Sequence, residues 1–317
     1  MLNDERVHGM RVPRSKEPSI HQLRLYLTLS EELHFGQAAA RLFITQPALS
    51  QQIRELEKRL GVRVVERTSR ALTLTDEGRA LLPEARAAVA AVDRLRRVAD
   101  AQLRQTSRRL VVGTIGAEAA MTHTRAVLRL LKERHPATTL DLVNLSFGDH
   151  MGALAQQEVD VIFLRPPVTD DIELHHLATE PRVACLAAEH PLAALPQISL
   201  TQLSDIPVVD VPEQVPRMWW DFWAVDPRPD GTRVRYGPVV TDMESLLHTV
   251  ATGEAMCFLP AAACEYFPRP GIRYIKVIDL QPSTSAVAWL RRRRSESTIK
   301  AVRLAAREVT DMTDDSQ

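Results

Sequence analysis

The stretch "TQPALSQQIRELEKRLG", residues 45–61, constrains the fold more than any other segment of the chain. Leu49, Ile53, Leu56 and Leu60 recur at intervals of four, three and four, the spacing of one buried helical stripe. Thr45 is a good N-cap, and Pro47 belongs in a first turn, where its missing N–H costs nothing. Gly61 ends the pattern as a helix-terminating glycine does. Gln46, Ser50 and Arg54 stand at i, i+4 and i+8 on another face, with Gln51 beside them. The question is what those polar groups serve.

Upstream, Leu23, Tyr26, Leu27, Leu29 and Leu33 recur at helical spacing, and "GQAAARL" reads as a second helix at roughly 35–42. Phe43-Ile44 makes a tight connection. Three short helices, with a sharp turn before a polar-faced third, predict a helix-turn-helix at about 34–53. Gln bonds adenine bidentately, Arg bonds guanine, and Ser or Thr bonds bases or phosphates, all from a helix that fits the major groove. "VRVVERTSRALTLT", residues 62–75, alternates β-branched residues and reads as a hairpin wing. Its Arg67 and Arg70 would lie against the phosphate backbone or in a minor groove. Residues 34–74 hold Arg41, Arg54, Lys58, Arg59, Arg63, Arg67 and Arg70 against Glu55, Glu57 and Glu66, a net of +4. From residue 108 onward there are 22 basic and 27 acidic residues, so the basic character is confined to the front. The alternatives are a solvated charged face and a generic three-helix bundle.

The run "HFGQAAARLFITQPALSQQIRELEKRLGVRVVERTSRALTLTDEGRALL" resembles the winged helix-turn-helix of LysR-type transcriptional regulators. The matching features are Ala38-Ala39, the run from Gln46 to Ser50, Leu56-Glu57, Leu60-Gly61, Glu66-Arg67, Leu74-Thr75 and Gly78. Val64-Val65 stands where the family usually has Leu-Phe, one buried apolar pair for another. The resemblance implies DNA readout by Thr45, Gln46, Pro47, Ser50, Gln51 and Arg54, with Arg67 and Arg70 as wing contacts. The winged domain is expected at 18–75, after a disordered lead-in at 1–17 that lacks the apolar core of a signal peptide.

Residues 76–107 are expected as a linker helix and polar hinge, with Pro83 bending or loosening the helix. Leu81, Ala85, Ala88, Val92, Leu95 and Ala99 alternate four and three, the period of a coiled-coil seam. Packing on its own domain is the alternative. In the resembled family this helix pairs two subunits, which implies a homodimer or homotetramer reading a pseudo-palindromic double-stranded DNA site.

Strand–helix alternation from residue 108 predicts parallel α/β units with a ligand edge at the strand ends. "GTIGA" has neither phosphate-loop nor dinucleotide-loop spacing. Glu189 to Ala193, Gly253 with Leu259-Pro260, and Val159-Asp160 extend the resemblance to the LysR-type effector domain, over Ser19 to about residue 305. It implies a periplasmic-binding-protein-like domain at 108–305, with lobe I at 108–182 and 281–305, lobe II at 183–280, and a tail at 306–317. A small-molecule effector would sit between the lobes and alter polymerase access. Candidate effector contacts are Thr114, Ile115, Ala117, Glu118, Ser146, Phe147, Arg165, Trp219 and Asp242. Arg165 either clamps a carboxylate or forms a salt bridge. Glu118 would repel an anion or pair with Arg165. Trp219, Trp220 and Trp223 either wall the cleft or pack the core, and the helix N-terminus headed by Asp242 and Ser245 either receives an anion or is simply capped by Thr241 or Asp242.

No HExxH, CxxC or GxSxG signature occurs, and Cys185, Cys257 and Cys264 are expected as buried structural thiols. No catalytic residue, metal or cofactor is expected, and no apolar run is long enough for a transmembrane helix. The chain thus reads as a cytoplasmic, nucleoid-associated regulator. Two rivals are a ligand-binding dimer without DNA readout and a ligand-independent regulator with a filled cleft.

Overall fold

The computed structural model describes residues 17–67 and 72–314. They fall into two compact units, divided between Arg96 and Arg97. The first holds α1 (Ile20–Glu32), α2 (Phe35–Arg41), α3 (Gln46–Leu60), β1 (Val65–Arg67), β2 (Leu72–Leu74) and the start of α4 (Asp76–Thr106). Ser19 and Gln22 cap α1 reciprocally, and Thr45 Oγ1 accepts from the Ala48 N–H at 3.4 Å to start α3. Gly61, at φ 76, closes α3 in the left-handed region. Leu49, Ile53 and Leu56 are buried with Tyr26, Leu29, Ala38 and Ala39. Each large apolar side chain so buried contributes about 1.5–3 kcal/mol. β1 and β2 pair antiparallel, Val65 opposite Leu74.

Helix α4 runs unbroken through Pro83. The Pro83 ring removes one backbone donor, but Leu81, Leu82, Ala85, Ala88 and Val89 pack this part of the helix onto the core of the first unit. The expected seam therefore divides. Leu81 and Ala88 are half-buried and Ala85 is buried within their own domain, whereas Leu95 is 69% exposed and Ala99 is exposed. The polar hinge expected after the helix is short: α4 ends at Thr106 and the next strand begins at Arg109.

The second unit carries two sheets and a smaller strand pair. Its first half comprises β3 (Arg109–Ile115), α5 (Thr122–Arg134), β4 (Thr139–Leu145), α6 (His150–Ala155), β5 (Val161–Leu164) and β6 (Ile172–Glu180). Next come β7 (Arg182–Ala187), β8 (Gln197–Ile198), β9 (Val208–Asp210), α7 (Arg217–Ala224), β10 (Tyr236–Val239) and α8 (Met243–Ala251). The chain closes with β11 (Cys257–Pro260), α9 (Ala263–Tyr266), β12 (Ile272–Val277), β13 (Ser283–Leu290) and α10 (Ser297–Asp314). One sheet has the order β4-β3-β5-β13-β6, with β3 parallel to β4 and β5. The other has the order β11-β7-β12-β8, and β9 pairs with β10. Two chain crossings, between β6 and β7 and between β12 and β13, connect the sheets.

The expected tail from residue 306 is corrected by α10, which continues to Asp314. Its apolar stripe does not stop at 305: Ala306 and Val309 are buried with Ile299 and Val302. Residues 1–16 of the expected lead-in, and 315–317, lie outside the described residues. Cys185 and Cys257 are buried as cross-strand partners, but Cys264 is exposed because α9 places it at the surface.

Candidate nucleic-acid interface and interlobe cavity

On α3 the buried stripe leaves Thr45, Gln46, Pro47, Gln51 and Arg54 exposed, with Ser50 half-buried. Arg54 donates Nε to the Ser50 carbonyl one turn back, at 3.2 Å. Glu57 sets the wing's position, because its Oε1 accepts from the backbone N–H of Val64 (2.9 Å) and Val65 (3.4 Å). Gly78 is equally local in effect: a Cβ there would lie 2.1 Å from the Val64 carbonyl oxygen. The Arg67 side chain and Arg70 lie outside the described residues. Phe43, unremarked in the sequence beyond its place in the turn, is 95% exposed at φ 54, and this left-handed residue makes the tight turn between α2 and α3.

In the second unit a cavity of about 80 Å³ lies between the sheets. One water needs about 10–15 Å³ on the same measure, so the space suits a compact ligand. The carboxyl ends of the parallel strands supply one wall, as open α/β sheets do. Ile115 ends β3 with Ala117 and Glu118 just after it, Phe147 follows β4, and Arg165 follows β5. Gly116, at φ 58, makes the turn out of β3 that a side chain would strain. The facing wall is α7. Its Trp219, Trp220 and Trp223 both line the cavity and are buried to 6% or less, so walling the cleft and packing the core are one role.

Thr114, Ser146 and Asp242 are not among the lining residues. Thr114 is buried within β3. Ser146 Oγ donates to Asp149 at 2.7 Å. Asp242 caps α8, accepting from the Ser245 N–H at 2.8 Å, which is the capping alternative and corrects its place among the candidate effector contacts. Met243, Phe258 and Phe267 line the cavity without any sequence signal that sets them apart from ordinary core residues.

Arg165 is 6% exposed and its three nitrogens are all engaged. Nε donates to Glu118 (2.7 Å), one terminal nitrogen to Ser283 Oγ (3.0 Å) and the other to Glu180 (2.6 Å). Burial pushes the Glu118 carboxyl up. Contact with His123, the Arg165 charge and the Ser285 hydroxyl together outweigh it and hold the group below the usual carboxylate range. Ser285 donates to Glu118 at 2.5 Å, and His123 Nε2 stands 3.7 Å from the same carboxylate. Glu180 also accepts from the Ala262 N–H at 2.7 Å, and Trp219 donates its indole N–H to the Arg165 carbonyl at 3.0 Å. The network therefore joins both sides of the cavity.

Behind α7, His150 packs against Trp219 with ring centroids 4.6 Å apart. Burial depresses the His150 pKa from 6.5 to about 4, so its ring is neutral at pH 7. Arg182, lowered to about 10 by burial, donates to the Phe222 carbonyl at the end of α7 (2.7 Å) and to Gln281 in the second crossing (2.7 Å). Among the described residues, no cluster of metal-ligating side chains and no helix long and apolar enough to cross a membrane occurs.

Comparison with known proteins gives one answer along the chain. Residues 20–79 match the family of bacterial regulatory helix-turn-helix proteins of the lysR type, and residues 103–311 match the LysR substrate binding domain. The chain is 31% identical over 284 residues to the HTH-type transcriptional regulator IlvR of Caulobacter vibrioides, covering 86% of this chain and 92% of that one. It is 28% identical over 283 residues to the HTH-type transcriptional regulator AlsR of Bacillus subtilis, covering 89% and 93%. Among solved structures, CbnR, a LysR family transcriptional regulator, has a TM-score of 0.56 at 19% identity, over 92% of this chain and 99% of that one. Full-length CbnR complexed with target DNA gives 0.55 at 21%, over 92% and 99%. The chain belongs to the LysR family: it is a transcriptional regulator, not an enzyme, with a helix-turn-helix DNA-binding domain ahead of an effector-binding domain.

Proposed function

We propose that α3 enters the major groove of double-stranded DNA and that Thr45, Gln46, Pro47, Ser50, Gln51 and Arg54 read the site, with Arg67 and Arg70 on the wing against the backbone. The observation that carries this is the polar face of α3, exposed opposite its buried stripe. Gln and Arg there have the donor and acceptor sets that discriminate adenine and guanine. The exposed end of the α4 seam, Leu95 and Ala99, is the part free to pair with a second copy, giving a homodimer or homotetramer that reads a pseudo-palindromic site. A small effector in the interlobe cavity would favour one lobe arrangement and so alter how the paired heads meet DNA and polymerase. That the relative CbnR has been solved with its target DNA supports the first of these steps.

Capture of sheared genomic DNA by the purified protein, beside the Arg54→Ala/Gln46→Ala double variant, tests the reading. Enrichment of a few pseudo-palindromic sites that the variant loses is the expected result. Equal enrichment by the variant would show that α3 does not read bases. The small cavity also favours a second reading, a ligand-independent regulator whose cleft is filled by its own tryptophans. An identical footprint with and without every effector candidate would mark that case.

A further inference from the structure

The charge state of the cavity wall says what class of effector it takes. Resting on the reading of this cavity as the effector site, we propose that the ligand is small and uncharged, an aromatic or alicyclic compound, and that carboxylates are excluded. Arg165 is the one cation among the residues lining the cavity, and it is already held by two carboxylates of the protein. Glu118 lines the cavity beside Arg165, and Glu180 holds the same guanidinium from outside the lining, so the positive charge is already fully offset. An incoming carboxylate thus finds no free positive charge. To reach the guanidinium it must displace Glu118, which is 3% exposed and bonded to Arg165 and Ser285. A buried anion without such a partner is strongly disfavoured.

A cation fares no better. Glu118, the acid that lines the cavity, is already paired with Arg165 and bonded to Ser285, so an ammonium would have to compete with the guanidinium for it while losing its own water. The rest of the wall is apolar: three indoles of α7 together with Phe147, Phe258 and Met243. Such a surface gains from burying a ring. The indole N–H donors of Trp220 and Trp223 are buried without a partner and have no surface open to the cavity, so what the indoles offer a ligand is their apolar faces.

Three probes of one shape and three charges decide the matter: benzyl alcohol, benzoate and benzylamine, titrated at pH 7.5 into the full chain. Tryptophan emission is the readout, since three of the four tryptophans line the cavity and Trp289 sits in the core of the other sheet. Benzyl alcohol is expected to bind at least about tenfold more tightly than either charged probe. Glu118→Gln, which frees Arg165 from one carboxylate, is expected to raise benzoate affinity about tenfold. If that variant does not fold, Glu180→Gln makes the same test from a site 23% exposed. Benzoate or benzylamine binding the unmodified chain as tightly as benzyl alcohol would overturn the proposed ligand class while leaving the effector site standing. A benzoate affinity unchanged in the folded Gln variants would overturn the charge argument. Silence from all three probes, in the unmodified chain and in a Trp219→Ala variant with an enlarged cavity, would overturn both the ligand class and the effector reading.

Discussion

Replacing Gly78 by alanine should destabilise the DNA-binding unit even though alanine is the better helix former. In an open helix the exchange would gain at most about 1 kcal/mol. Here the new Cβ would stand 2.1 Å from the Val64 carbonyl oxygen, 3.0 Å from its carbonyl carbon and 3.1 Å from its Cα. All three are backbone atoms, so no rotamer relieves the clash, and the first turn of α4 must move by about 1 Å. Forced overpacking of this kind costs about 1–3 kcal/mol. The same movement strains two bonds: the Tyr26 hydroxyl donates to the Gly78 carbonyl, and the Thr75 N–H donates to Val64 O at 3.2 Å. Losing a buried partner of the Tyr26 hydroxyl adds about 1–3 kcal/mol. The net expectation is a loss of about 2–4 kcal/mol, with the wing displaced from α3. All four tryptophans lie beyond residue 97, so their fluorescence reports the second unit alone. In a urea titration of the full chain, the far-UV circular dichroism change of the first unit should move to lower denaturant while the fluorescence transition stays in place. An unchanged or strengthened first unit would refute the steric argument.

Other tests follow from single contacts. His150 is neutral when folded, with its pKa depressed from 6.5 to about 4 by burial. The unfolded chain therefore binds the proton first, so this stability is fully present above pH 6.5 and is lost as the pH falls toward 4. The loss amounts to about 3 kcal/mol, and His150→Gln should flatten it in melts taken between pH 7 and 4.5. A variant with the same acid profile as the parent would dismiss His150 as the cause. Asp160 accepts from Arg293 (3.0 Å) and the Val111 N–H (2.9 Å), with Arg104 Nε at 3.3 Å. Asp160→Asn removes one of the two carboxylates on buried Arg293, which keeps Glu296 at 2.8 and 2.9 Å, and should cost about 1–3 kcal/mol, read as a lower fluorescence midpoint in urea. Phe43→Asn removes a left-handed strain from a side chain that buries almost nothing. It should stabilise the first unit by about 1 kcal/mol by circular dichroism, and a loss instead would mean that the Phe43 ring has a packing role.

The elements of the first unit were legible because their signals are local. Thr45, Pro47, Gly61 and the stripe Leu49, Ile53, Leu56 bound one helix through residues a few positions apart. Strand–helix alternation likewise indicated the α/β second unit, since apolar periodicity reflects which face of an element is buried. What that periodicity does not contain is the identity of the covering surface. The α4 seam reads as one stripe, yet Ala85 is covered by its own domain and Leu95 is not, because only the fold determines where the helix leaves the core. The stripe of α10 passes residue 305 for the same reason: Val309 finds a sheet to cover it. Arg165 shows the limit most clearly. The sequence offered a ligand clamp or a salt bridge, and its partners Glu118, Glu180 and Ser283 lie 47, 15 and 118 positions away. Local pattern determined that a polar-faced helix and an α/β unit would form, and the division into two lobes was implied by the family resemblance alone. Tertiary structure decided which charges were already paired, because in a water-poor interior the partner that sets a group's charge and reach is chosen by the fold, not by the neighbouring residues.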